Sequence, residues 1–559
     1  MNNLLTSTWE NLWKQHQRTK NLLNIFALHK HAGSNAAAAG QGGTDESLGG
    51  REPRPPSEKP SRPYSQAQLI GLLLGPALFL VTMLFFHPEG LAPEGKAVLA
   101  VTLWIATWWI TEAIPIPATS LLPLILLPIM GAMEGNAVAS SYGDDIIFLF
   151  LGGFFIATAM EKWNLHKRMA LFIIAVIGTS TQRILLGFMV ATGFLSMWVS
   201  NTAAVMMMIP MGLAITAQVA DVLKGKPDEK ELPKFEKSLI FSIGYAGTIG
   251  GLGTLIGTPP NIILAGQLEQ LFGITLSFAT WMLFAVPVVI VMLIFTWLYL
   301  SKSAFKVKLT QLPGGKELIQ QERQKLGKIK YEEQMVSAVF IFAAFMWISR
   351  SFLWSEGGIY VIPGLSDGMI AVLAAVLLFT IPTRLSGGRL LSWKDSRDIP
   401  WGVLLLFGGG LAIASGFRET GLSDWMGEQL TVLDGLHLIV IITAATLLIM
   451  FMTEITSNTA TATMILPVVA ALALALNIHP FALMIPCAMA ANCAFMLPVG
   501  TPPNAIIFGT GKLRIIEMAR TGFIINLVGS ALIVASVYYL VPLVWGIDLT
   551  TIPAELLQG

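Results

Sequence analysis

The sequence predicts an all-α polytopic membrane protein made of two inverted repeats, and three observations carry that reading. Of its 559 residues, 54% are hydrophobic and only 12% charged, whereas soluble domains are roughly a quarter charged. Apolar segments run to the roughly 20 residues that a helix needs to cross a bilayer. The alternation of a membrane barrel is absent, so helices must satisfy the backbone in lipid. The third observation is a duplication. Val199–Met211 (VSNTAAVMMMIPM) returns in altered form at Thr456–Val468 (TSNTATATMILPV), and the surroundings keep register without a gap. Gly152-Gly153 answers to Gly409-Gly410, Leu165 to Leu422 and Pro210 to Pro467. A second motif is present in each half, Gly257-Thr258-Pro259-Pro260-Asn261 and Gly500-Thr501-Pro502-Pro503-Asn504.

Taken in order, residues 1–65 read as a cytoplasmic tail. Leu5, Trp9, Leu12 and Trp13 share one face of a short basic helix, and a disordered Ala/Gly/Ser/Pro linker comes after it. The first helix and repeat 1 occupy 66–300, with spans near 66–86, 96–113, 117–131 and 146–160. Glu161–Arg168 reads as a surface stretch. Residues 181–217 are too long for one crossing and carry Ser-Asn-Thr in their middle, so a re-entrant hairpin is expected. Gly250, Gly251, Gly253, Gly257 and the proline pair interrupt 238–271, which reads as a broken helix. A span at 277–300 and a polar cytoplasmic connection at 301–334 come next. Repeat 2 occupies 335–545, with spans at 335–354, 367–383 and 400–417, a hairpin at 433–477, a broken helix at 481–510 and a last span at 521–545. Residues 546–559 form a short extracytoplasmic tail. The total is about 11 transmembrane helices.

Lys and Arg flanks set the orientation. The five basic segments, Arg18–Arg62, Lys224–Lys237, Lys302–Lys330, Arg384–Arg397 and Lys512–Arg520, thread to one side, the cytoplasm. The loop before Ile146 is acidic, while its counterpart before Trp401 carries Arg384, Arg389, Lys394 and Arg397. Equivalent loops thus face opposite sides, the signature of inverted repeats that place a site at mid-membrane between discontinuous helices. The absence of an Asn-x-Ser/Thr sequon favours a bacterial inner membrane. A net charge of +1 gives no ground for a nucleic-acid partner. Cys487 and Cys493 lie in an apolar segment and read as packing residues.

Ser, Asn and Thr are helix N-cap residues, and proline suits the first helical turn. Each triplet, and Thr258 and Thr501 before their prolines, therefore marks a helix start. Four such N-termini with unpaired N–H groups favour an anion. Free carbonyls at the opposite ends suit a small hard cation, with Ser196, Asn201, Thr453 and Asn458 completing its oxygen shell. No Lys or Arg stands near either triplet, so bound cations are the expected counter-charges. Glu112 and Glu454 are intramembrane carboxylates for which a functional and a structural role stay equally open.

At these residues the chain resembles the divalent anion:sodium symporter family of dicarboxylate and citrate carriers, over roughly residues 66–545. The resemblance implies an elevator-type homodimer in the lipid bilayer, with Na+ at two sites or more. One sodium site would use Ser196, Ser200, Asn201 and Gly257, and its mirror Thr453, Thr456, Asn458 and Gly500. Substrate carboxylates would meet Asn201, Thr202 and Thr258 on one side and Asn458, Thr459, Thr501 and Pro502 on the other. Intact triplets point to C4-dicarboxylates (succinate, malate, fumarate). The rivals within the same fold are a sodium-independent exchanger and a sodium-coupled citrate or sulfate carrier. A channel lacks the expected subunit-ring filter. An intramembrane hydrolase lacks a base beside the triplet serines, so no enzyme activity is expected.

Overall fold

The computed structural model describes residues 64–178, 180–309, 315–354, 362–384, 387–430, 435–553 and 556. The expected N-terminal helix and linker lie outside them. The chain divides into two units, the larger formed by Gln66–Phe508 and Leu513–Gly559. Among its described residues that unit is helical throughout, with no named strand.

Two helices, α1 (Gln66–Phe85) and α2 (Pro93–Thr111), open the unit. The span expected at 117–131 is instead two short helices, Ile116–Thr119 and Pro123–Ile129. Pro117, Pro123 and Pro128 explain the fragmentation, because each removes a backbone donor. Then come α3 (Asp145–Lys162) and α4 (Leu165–Ile177). The surface stretch expected to stop at Arg168 is thus the start of a longer amphipathic helix. Two antiparallel arms come next, α5 (Thr181–Ser196) and α6 (Asn201–Leu223), joined by a four-residue tip. The element after them is broken as expected, into α7 (Leu232–Gly251) and α8 (Pro259–Phe272), and α9 (Phe278–Leu298) closes the half.

The connection between the halves contains a helix that its polarity concealed, α10 (Gly315–Leu326). Three helices succeed it: α11 (Tyr331–Ser349), α12 (Asp367–Thr380) and α13 (Trp401–Glu419). Then comes α14 (Leu422–Leu430). The second pair of arms is α15 (Leu438–Met452) and α16 (Asn458–Ala475), and the second broken element is α17 (Phe481–Asn492) with α18 (Pro502–Gly509). The last helix, α19 (Ile515–Trp545), begins six residues before the expected span. Glu517, whose carboxylate accepts from Arg514 N at 3.1 Å, supplies that earlier start.

Eight helices are long and apolar enough to cross a membrane among the described residues. The figure differs from about 11 because it includes two hairpin arms and omits the broken helices, of which α8, α17 and α18 are too short on their own and α7 begins in charged sequence.

The matched glycines pack alike in both halves. A Cβ on Gly152 would overlap the main chain of Ala371, and one on Gly409 would overlap the Ser120 carbonyl. These contacts draw α3 onto α12, and α13 onto the short helix ending at Thr119, backbone to backbone. Phe150 and Phe407, equivalent in register, meet with ring centroids 5.1 Å apart. Two narrow crevices, neither with room for more than about one water molecule, flank that contact. One is lined by Phe150, Gly153 and Phe154, the other by their counterparts Phe407, Gly410 and Leu411.

The first hairpin seats on the broken element just as closely. A Cβ at Gly250 would overlap the main chain of Gly193 in α5. Gly250→Ala should therefore lower the apparent melting temperature in detergent by several degrees, an overpacking cost of about 1–3 kcal/mol. Gly143→Ala, with open space beside it, should leave that temperature unchanged.

Candidate substrate and cation site

The triplets fall at the hairpin tips. Asn201 and Asn458 are the first residues of α6 and α16, and Ser200 and Ser457 are their N-caps. Ser200 caps through its side chain, accepting from Ala203 N at 3.1 Å; Ser457 makes no side-chain cap bond.

At the first tip, Ser196 Oγ lies 2.5 Å from the Asn201 carboxamide and 2.5 Å from the Gly247 carbonyl oxygen. The same carboxamide stands 3.2 Å from the carbonyls of both Gly247 and Gly257. With its nitrogen inward, Asn201 donates to all of them. With its oxygen inward, four oxygens face one another and share a single hydroxyl proton. At the second tip, Thr453 Oγ1 lies 2.6 Å from Asn458 Oδ1 and 2.7 Å from the Ala491 carbonyl. Again one proton serves several acceptors. With the amide oxygens of Asn201 and Asn458 inward, both tips gather oxygen atoms in excess of hydrogens; with the Asn201 nitrogen inward, the first tip satisfies its own acceptors.

The structure brings Ser196, Asn201 and Gly257 together, and separately Thr453 and Asn458. It adds the carbonyls of Gly247 and Ala491, whose small apolar side chains gave no signal in the sequence. Gly500 is buried beside Glu454: a Cβ there would sit 3.2 Å from Glu454 Oε2. The Thr456 hydroxyl turns inside its own hairpin, to the Met452 carbonyl at 2.8 Å and Thr461 Oγ1 at 2.6 Å. Thr202 and Thr459 are half-buried second residues of α6 and α16. Pro502 is exposed at the start of α18.

Thr258 is the N-cap of α8 but makes no side-chain cap bond. Its hydroxyl instead donates to Asn492 Oδ1 at 2.6 Å, across to the other half. Thr501 keeps a local role, accepting from Asn504 N at 3.4 Å.

The breaks between helix halves release backbone groups that lipid cannot satisfy, each costing several kcal/mol if left alone. The last residue of each Gly-Thr-Pro-Pro-Asn motif answers this. Asn261 Nδ2 donates to the carbonyls of Gly251, Leu252 and Thr254 at 3.2, 3.2 and 2.8 Å. Asn504 Nδ2 reaches the equivalent carbonyls of Ala494 and Leu497 at 3.0 and 2.9 Å. The second break also frees N–H groups. Glu454, 3% exposed, accepts from Phe495, Met496 and Leu497 N and from Asn526 Nδ2, all between 2.7 and 3.1 Å. A buried carboxylate facing only donors is well placed, so for Glu454 the structural role has a defined geometry. Glu112 is different: it ends α2 in the left-handed conformation, exposed. Cys487 and Cys493 are buried free thiols.

A family model described as "Sodium:sulfate symporter transmembrane region" matches residues 66–546. The chain belongs to this family. It is 56% identical over 499 residues to the sodium-dependent dicarboxylate transporter SdcS of Staphylococcus saprophyticus, spanning 88% of this chain and 95% of that protein. To SdcS of Staphylococcus aureus (strain bovine RF122) it is 58% identical over 493 residues, 88% of this chain and 94% of that one. Two solved structures share the fold. Neisseria gonorrhoeae MtrF, placed by its description in a class of antimetabolite efflux pumps, superposes with a TM-score of 0.51 at 12% identity, covering 85% of this chain and 96% of its own. The Alcanivorax borkumensis YdaH transporter gives 0.52 at 12% identity, covering 81% and 99%. These relatives are transporters, so the hydrolase alternative falls. The family is the one expected from the two triplets, and the chain is an integral membrane protein.

Asn261→Ala and Asn504→Ala should each destabilise the protein by about 1–3 kcal/mol, since several buried carbonyls lose their donor. Thermal unfolding in detergent measures this. Glu454→Gln should cost more, because hydrogen bonds to a charged acceptor contribute about 1.5–3 kcal/mol and the new amide turns a donor toward donors.

Proposed function

We propose that this protein imports C4-dicarboxylates such as succinate, malate and fumarate across a bacterial inner membrane, driven by sodium. The observation that carries this reading is the set of oxygen atoms that each hairpin tip gathers once the Asn201 and Asn458 amide oxygens face inward. Ser196, Asn201, Gly247 and Gly257 offer one oxygen cluster, and Thr453, Asn458 and Ala491 another. Unwound carbonyls and hydroxyls of this kind suit Na+, which gives two cation sites at the least. The SdcS relatives, named as sodium-dependent dicarboxylate transporters, support the same coupling and the same substrate class.

In this reading sodium neutralises the tips, and the dianion then lies between them. Helix starts at Asn201 and Asn458 turn N–H groups toward its carboxylates, with Thr202, Thr258, Thr459, Thr501 and Pro502 alongside. Ser200, Thr456 and Gly500 complete the cation shells through main-chain oxygens, since the Ser200 and Thr456 side chains are engaged elsewhere. The halves are inverted repeats, the N-terminus is cytoplasmic and the C-terminus extracytoplasmic. Two protomers pair, and the paired tips move across the bilayer as one body. The family model's sulfate description favours a second reading, a sulfate carrier on the same tips.

Purified protein in proteoliposomes should accumulate labelled succinate only with an inward sodium gradient, and excess sulfate should not compete. Uptake that ignores sodium and needs internal dicarboxylate would establish exchange instead. Asn201→Ala and Asn458→Ala should each raise the sodium concentration for half-maximal uptake and the succinate KM about tenfold, equal to about 1.4 kcal/mol. Thr501→Ala should raise the succinate KM alone.

A further inference from the structure

Asn492 is 1% exposed at the last turn of α17, and three groups from different elements converge on it. Its Oδ1 accepts from Thr258 Oγ1 at 2.6 Å. Its Nδ2 donates to the Thr248 carbonyl of α7 at 2.8 Å. Its own carbonyl accepts from Asn458 Nδ2 at 3.3 Å. The bond to a carbonyl fixes which end of the amide is nitrogen, because a carbonyl has no proton to give. Oδ1 must therefore face Thr258, and Thr258 must be the donor. Thr248 is chain neighbour to Gly247, whose carbonyl belongs to the first tip, while Asn458 belongs to the second. One residue thus joins both halves, through its side chain to the first and its carbonyl to the second. The position is not duplicated: by the register that aligns Gly257 with Gly500, its counterpart is Ile249.

We propose that Asn492 is a positioning residue that couples the second cation cluster to Thr258, so that sodium at Asn458 sets the geometry of the substrate loop. This rests on the transport reading above. When a cation draws the Asn458 oxygen and the Ala491 carbonyl, the adjoining Asn492 carbonyl moves with them, and its side chain carries Thr258. Recognition is affected as well. The Thr258 proton is committed to Asn492, so Thr258 offers a carboxylate no hydroxyl donor. Thr501, which accepts locally and keeps its proton, is the hydroxyl that donates. The two halves then hold the two substrate carboxylates unequally.

The test uses the full-length protein in proteoliposomes, measuring succinate uptake against sodium and against succinate. Asn492→Ala should raise both the sodium half-activation and the succinate KM several-fold, while maximal rate falls less than threefold. Thr258→Val should raise the succinate KM. The double variant should be no worse in succinate KM than Asn492→Ala alone, since residues acting through one another are non-additive. Additive effects, or a wild-type sodium curve in Asn492→Ala, would overturn the proposal. Should the alanine variant fail to yield monodisperse protein, Asn492→Ser, too short to span Thr258 and Thr248 together, must show the same sodium shift; a wild-type curve there overturns it equally. Absence of sodium-dependent uptake in the unaltered protein would instead remove the transport reading, a result distinguishable from either.

Discussion

The constraint on which the rest depends is that a helix interrupted inside a bilayer must find partners for every backbone group it releases. This chain interrupts two helices and folds back two hairpins. It satisfies the released groups with side chains supplied from the same motifs that cause the breaks. The prolines end the hydrogen-bond ladder, and the asparagine just after them, Asn261 or Asn504, reaches back to the freed carbonyls. Without that return, the oxygen-rich tips would have no rigid floor against which to stand.

The two halves solve the problem with the same Asn but not with the same remaining parts. In the second half Glu454 gathers three consecutive N–H groups; the equivalent residue in the first half is Met197. There the loop is tied by Thr254, which donates to the Met197 carbonyl at 2.5 Å, and by Trp281, which donates to the Leu252 carbonyl at 3.0 Å. A negative charge thus lies behind one tip and an apolar side chain behind the other. The two tips share their asparagines and differ in the charge that stands behind them.

Much of this was legible beforehand because its signals are local. A triplet of capping residues inside apolar sequence, and a glycine-rich run before paired prolines, each have few conformations open to them in lipid. Hence both hairpin tips and both breaks fall where the residues place them: α6 and α16 start at the matched asparagines, and α8 and α18 at the matched prolines. Segments whose signal is amphipathic and weak fared less well. The helix Gly315–Leu326 reads as a polar loop, and Leu165–Ile177 extends beyond its charged beginning. Roles that depend on what lies opposite were not readable. The Thr456 hydroxyl turns to Thr461, and that of Thr258 passes over its own helix to reach Asn492.

The sequence by itself determined the class of protein, its family and the residues at each tip. Hydrophobic length, proline and helix-capping chemistry act over a few neighbouring positions, and a repeat in register needs no coordinates to be recognised. Only the tertiary structure decided which carbonyls join the tips, which hydroxyls keep their protons, and that Asn492 stands between the halves. A hydrogen bond depends on about a third of an ångström and on direction. No spacing along a chain carries that information between residues as remote in sequence as Thr258 and Asn492.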